Sequence, residues 1–178
     1  MYVRAMFLCV AAILYSCIDI TIGKCTPPTS FCGNNELELS GYSDCNDKVD
    51  KDDTAHQPVV SYEHADSDTF YTLIMVDPDA PAPDNPSLAY WLHWLVTNIK
   101  GSNFGSDNLG GTTVMEYEGP SPPRGTHRYQ FMLLKQNGQV TTVKPRSRSR
   151  FQLKDFLANK KFDCNDIGTF QYKVEVEA

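Results

Sequence analysis

Four runs of sequence constrain the fold more than anything else in the chain. Residues 57–62 (QPVVSY), 70–77 (FYTLIMVD), 91–99 (WLHWLVTNI) and 127–135 (HRYQFMLLK) are rich in β-branched and aromatic side chains. Each is bounded by turn-forming residues, the pattern of a strand. Residues 37–39 and the alternating stretch 169–176 (TFQYKVEV) add strands toward either end. Residues 150–159 are the one good helix candidate, with Phe151, Leu153, Phe156 and Leu157 able to share a stripe. Strands before and after a late helix, without regular βαβ alternation, describe a mainly β chain with antiparallel pairing. A length of 178 residues suits one domain with a buried core. A formal net charge of -6 argues against the basic footprint of a nucleic-acid binder.

The N-terminus reads differently from the rest. Arg4 precedes an unbroken apolar run at residues 5–15 (AMFLCVAAILY), which Asp19 ends. That is the layout of a secretory signal peptide, too short for a membrane span of ~20 residues. Cleavage after Gly23, or nearer Cys17, leaves a mature domain of about residues 24–178 and a secreted, extracellular protein. Of six cysteines, Cys9 and Cys17 leave with the signal, and Cys25, Cys32, Cys45 and Cys164 remain. An even number in an oxidising route implies two disulfides, with three connectivities open. Cys25–Cys32 with Cys45–Cys164 is the preferred pairing, because the second bridge would close a long loop for ~3–5 kcal/mol. Zinc is the rival, but no C-x-x-C pair occurs, and no N-glycosylation sequon occurs either. Residues 44–53 (DCNDKVDKDD) and 144–150 (KPRSRSR) read as solvated acidic and basic loops. For the basic loop the alternative is contact with an anionic surface.

Three motifs carry chemistry. The first, residues 77–81 (DPDAP), ends an apolar strand with two carboxylates on a proline-stiffened turn. In the second, residues 91–96 (WLHWLV), strict alternation places Trp91, His93 and Leu95 on one face and Leu92, Trp94 and Val96 on the other. By itself His93 reads more readily as a satisfied core histidine than as a ligand. The third, residues 119–129 (GPSPPRGTHRY), is a rigid Gly/Pro loop feeding a strand that opens with His and Arg. Glycine admits close backbone approach and exposed N–H groups there can hold an anion. No GK[ST] follows, so it is not a phosphate loop of the nucleotide-binding kind.

Taken in this order, the DPDAP turn, the WLHWLV strand and the GPSPPRGTHRY loop resemble the phosphatidylethanolamine-binding protein family. The 57–62 strand and the Arg148-x-x-Phe151 spacing fit the same pattern, and the resemblance spans about residues 37–176. It implies a large central antiparallel sheet, a smaller second sheet and few peripheral helices. It also implies a small anion pocket at one end of the sheet. Carried over by motif position, Asp77 and His93 form one wall and His127 and Tyr129 the opposite one. Gly119, Pro120, Ser121, Pro122 and Pro123 form the lip, and Trp91 and Pro81 shape the mouth. Asp77 would orient an imidazole rather than meet the anion, since like charges repel. Affinity should strengthen as pH falls through the histidine range near ~6.5. The chain ends at Ala178, just past the last strand, which implies a pocket more open than in animal members of the family.

These readings lead to a monomeric binding module for phosphate-bearing ligands, phospholipid headgroups above all, with peripheral membrane contact and no cofactor or resident metal. The alternative is a protein that acts by protein–protein contact, as a serine-protease or peptidase inhibitor or a modulator of a signalling pathway. Catalysis is the weakest reading. Asp77, His93 and His127 are acid–base groups that could also mimic a metal triad, but Ser121 lies in no nucleophile-elbow setting.

Overall fold

The computed structural model describes residues 25–33, 37–158 and 161–177. The expected signal peptide lies outside the described residues. Seven strands and one short helix follow in the order β1 (Glu38–Leu39), β2 (Val60–Ser61), β3 (Phe70–Asp77), β4 (Trp91–Lys100), β5 (Thr112–Met115), β6 (Gly125–Gln136), α1 (Leu153–Leu157) and β7 (Phe162–Val176). Among the described residues they form a five-stranded sheet, β5-β4-β3-β6-β7, and a two-stranded sheet, β1-β2. All pairings between these strands are antiparallel. The mainly β expectation and the division into a large and a small sheet hold.

Each face of the large sheet has its own apolar cluster. On one face Met75, Trp94, Tyr129, Phe131 and Tyr172 pack under Leu37, Leu39, Val60 and Tyr62 of the small-sheet region. On the other, Ile74, Leu92, Leu95, Met132 and Leu134 pack under Leu153 and Leu157 of α1 and under Cys25 and Phe31. Both faces of β3 are therefore covered, which is why residues 71–77 of this strand are all buried.

Several local expectations change. The helix is shorter than residues 150–159, because Arg150 takes a positive φ of 57° and cannot lie in a helix. The run 57–62 contributes only Val60–Ser61 to a strand, and 112–115 (TTVM) pairs with β4 as an edge strand too short to announce itself. The strand expected at 169–176 begins at Phe162.

The disulfides are Cys25–Cys164 and Cys32–Cys45, not the expected Cys25–Cys32 and Cys45–Cys164. The reason is the path of residues 46–49. Asn46 N–H donates to the Gln171 carbonyl and Lys173 N–H to the Asp47 carbonyl, at 2.6 and 2.8 Å. This places Cys45 beside Gln171, whose N–H lies 3.4 Å from Cys45 Sγ. Cys164 is seven residues away along an extended strand, about 20 Å. A bridge needs Cα atoms within about 7 Å, so Cys45 cannot reach it. Cys25 is adjacent instead and ties the N-terminal segment to the start of β7, at 5.1 Å between Cα atoms.

The pairing predicts unequal losses. Cys25–Cys164 closes a separation of 139 residues and Cys32–Cys45 one of 13. Replacing both cysteines of the first with serine should cost about 5 kcal/mol in chain-entropy terms, and the second about 3 kcal/mol. Urea unfolding measures the difference, and a non-reducing peptide map that returned a Cys45–Cys164 peptide would refute the connectivity.

Candidate functional site

The DPDAP turn closes β3 and is held by its own carboxylates. Asp77 Oδ1 accepts the Asp79 N–H at 2.7 Å, and Asp77 Oδ2 accepts from His127 Nδ1 at 2.7 Å. Asp79 reaches the next residue of β6. Its carboxylate takes Arg128 Nε and Nη2 at 2.9 and 2.7 Å and the Arg128 N–H at 2.9 Å. Because side chains alternate along β6, the two acid–base pairs leave the strand on opposite faces. Burial works against the Asp79 charge, but the hydrogen bonds and charge of Arg128 outweigh it and hold the carboxyl below its ordinary value.

The second wall is built by an irregularity. Met75 faces Trp94 and Val76 faces Leu92, so His93 is an extra residue on β4, a β-bulge. The alternation expected for 91–96 is broken there. Leu92 joins Leu95 on one face, and Trp94 and Val96 occupy the other. The His93 ring packs edge-on to Tyr129, with centroids 5.1 Å apart, and its Nδ1–H donates to the Glu118 carbonyl at 2.7 Å. At the bulge the His93 carbonyl accepts the Glu118 N–H at 3.0 Å, and Arg148 adds further donors. Its Nη1 donates to the Leu92 and His93 carbonyls, both at 2.9 Å, and its Nη2 to the Glu116 carbonyl at 2.9 Å. Its Nε pairs with Glu118 at 2.9 Å, and the other Glu118 oxygen accepts Trp91 Nε1–H at 3.1 Å. Arg148, read from sequence as part of a solvated basic loop, is a clamp on the site. Lys144 and Arg146 of that loop stay exposed.

These elements enclose a cavity of about 300 Å³. Asp77, His93, His127 and Tyr129 line it, with Trp91 and Pro81 at the mouth. Ser121, Pro122 and Pro123 form the lip. The structure therefore brings together all the expected residues except Gly119 and Pro120. Gly119 acts one step away. A Cβ there would stand 2.8 Å from the Thr54 carbonyl, so only glycine lets the loop pack this closely. Ala80 and Leu88 also line the cavity and had no signal in the sequence beyond being apolar.

The imidazoles differ in character. His127 is fully buried, its Nδ1 is held by Asp77, and its Nε2 has no hydrogen-bond partner among the described residues. Burial disfavours its charge, yet the hydrogen bond to Asp77 and the charges of Asp77 and Asp79 prevail, and its pKa is raised. For His93 burial dominates and pushes the pKa down, against the Glu118 carbonyl and the charges of Asp77 and Glu118. Burial likewise raises the Tyr129 phenol, so it stays protonated. The site thus holds one cation-prone imidazole, one neutral imidazole and a neutral phenol.

With the geometry in place, the comparisons define the class. A family model for phosphatidylethanolamine-binding protein matches residues 28–171, and the chain belongs to that family. The Arabidopsis thaliana protein FLOWERING LOCUS T is 42% identical over 104 residues, 57% of this chain and 56% of that protein. The chain thus spans about half the length of the curated relatives it matches. The phosphatidylethanolamine-binding protein from Plasmodium vivax superposes with a TM-score of 0.57 at 22% identity, over 81% of this chain and 88% of that one. A carboxypeptidase Y inhibitor, solved with its cognate proteinase, gives 0.60 at 20% identity, over 74% and 76%. These two likenesses concern the fold.

Arg148→Ala should destabilise the protein by about 2–3 kcal/mol, since the part-buried Leu92 and His93 carbonyls each lose a charged donor and Glu118 loses its ion pair. Arg148→Lys should recover little, because an ammonium cannot reproduce the fork. Urea denaturation measures both, and a neutral Arg148→Ala would remove the clamp. In imidazole NMR titrations, His127 should hold its proton to higher pH than His93. The His127 contribution to stability is complete below the ordinary histidine value of ~6.5 and fades as pH rises through its raised value. That of His93 runs the other way: it is complete above ~6.5 and lost as pH falls toward its depressed value. Asp77→Asn should drop the His127 midpoint, and an unchanged midpoint would exclude Asp77 as its cause.

Proposed function

We propose that the cavity binds a phosphate-bearing ligand, a phospholipid headgroup above all, and that the protein acts as a secreted binding module. The observation that carries this reading is His127 Nε2, a buried ring nitrogen without a partner among the described residues, in a cavity where Asp77 favours the imidazolium. Once protonated it is a free donor at the cavity wall. The ligand would take that N–H, with the Tyr129 hydroxyl and the lip of residues 121–123 beside it. The apolar mouth at Pro81, Leu88 and Trp91 suits the carbon atoms that follow a headgroup. Asp77 acts through His127 and does not touch the ligand. Binding rather than catalysis is favoured because Nδ1 of both imidazoles is already committed, to Asp77 and to the Glu118 carbonyl, and Ser121 is exposed on the lip. Two disulfides support a route through an oxidising compartment.

A second reading, inhibition of a protease by surface contact, has the likeness to the carboxypeptidase Y inhibitor in its favour. Titration with inorganic phosphate and with phosphoethanolamine, followed by histidine NMR, separates the two. Affinity should fall as pH rises through the raised His127 value, and His127→Ala should weaken binding about 10–100-fold, the worth of one charge-assisted hydrogen bond. Vesicles containing phosphatidylethanolamine then distinguish a lipid from a free phosphate. If neither probe moves the His127 signal, the headgroup reading fails and inhibition assays against serine carboxypeptidases become the decisive experiment.

A further inference from the structure

The face of the large sheet opposite the anion cavity ends in a second concavity of about 410 Å³, within the range of small-molecule sites. Its near wall is the N-terminal segment carrying Pro27, Pro28 and Phe31, held at its two ends by Cys25–Cys164 and Cys32–Cys45. Its far wall is Pro78 and Tyr90. Along the floor, Gln130 Nε2 donates to Gln171 Oε1 at 3.1 Å, and Gln171 Nε2 donates to Asn46 Oδ1 at 2.6 Å. Arg128 continues the floor, neutralised by Asp79.

The chemistry of this groove differs from that of the anion cavity. Among the described residues Arg128 is the one charged residue lining it, and its Nε and Nη2 are already bound to Asp79. An added anion would have to compete with that carboxylate. A peptide cannot join as a strand, because the β7 backbone at Gln171 and Lys173 is paired with residues 46–49. What remains are side-chain amides. Each glutamine commits one of its two N–H donors to the ladder, and a planar amide sets a donor beside an acceptor. Vicinal hydroxyls, each both donor and acceptor, complement that arrangement. Tyr90, partly exposed, gives an apolar plate for the C–H face of a ring, and the buried Phe31 backs the groove behind it.

We propose that this groove is a second binding site, independent of the anion cavity, and that it takes a neutral pyranose sugar. Binding is tested on the intact disulfide-bonded protein with methyl α-glucoside, methyl α-mannoside, methyl β-galactoside and N-acetylglucosamine at tens of millimolar. The readouts are saturation-transfer NMR and the side-chain amide signals of Gln130 and Gln171. At least one sugar should give transfer and shift both amide pairs. Gln171→Ala and, separately, Gln130→Ala should each weaken that binding about three- to tenfold, the worth of one lost hydrogen bond, with melting curves confirming a folded protein. His127→Ala should bind the sugar as the unmodified protein does, so failure here and failure of the phosphate reading are distinguishable. The proposal is overturned if none of the four sugars binds, if binding survives both glutamine substitutions, or if inorganic phosphate displaces the sugar.

Discussion

One carboxylate organises the cavity end of the large sheet. Asp77 is buried at the last position of β3, where an uncompensated charge would be costly. One of its oxygens closes the turn through the Asp79 N–H and the other holds His127 on the neighbouring strand. The same contact that makes a buried carboxylate tolerable also fixes the tautomer of His127, with Nδ1 toward Asp77 and Nε2 left over. A pairing that satisfies the fold thereby creates an unsatisfied donor or acceptor at a cavity wall. A buried polar atom of this kind is costly until water, an ion or a ligand meets it.

The opposite wall depends on a defect and its repair. Inserting His93 as a bulge turns its ring toward Tyr129 and breaks the strand ladder. Arg148 then binds the Leu92 and His93 carbonyls from a loop that follows β6 by twelve residues. Arginine suits this role because its planar fork addresses several acceptors at once and its charge does not titrate. The two histidines therefore sit at similar depth with opposite tendencies. The carboxylate is bonded to one and only a neutral carbonyl to the other, and burial decides the second case.

Much of the architecture was legible in the linear pattern. The runs at 70–77, 91–99 and 127–135 are apolar enough, and well enough punctuated by Pro and Gly, to be strands in any compact arrangement. The cavity residues Asp77, His93, His127 and Tyr129 could be named because three motifs resemble those of a known family. The parts that were not legible share one feature: they depend on which distant segments lie side by side. The bulge at His93 shows only when the register against β3 is known. Arg148 looks like one cation among several until Leu92, His93 and Glu116 present it with carbonyls. The cysteine pairing depended on residues 46–49 running beside Gln171, a contact between segments 125 residues apart.

The sequence by itself determined a mainly β chain and the need for two disulfides, because periodicity, proline and glycine placement and cysteine count act locally, and its resemblance to a known family named the residues that line the cavity. The tertiary structure decided which cysteines join, which face each β4 side chain takes, which histidine favours its charge, and that a polar groove lies on the reverse of the sheet. Those outcomes are set by burial and by hydrogen bonds across long sequence separations, and no local pattern encodes either.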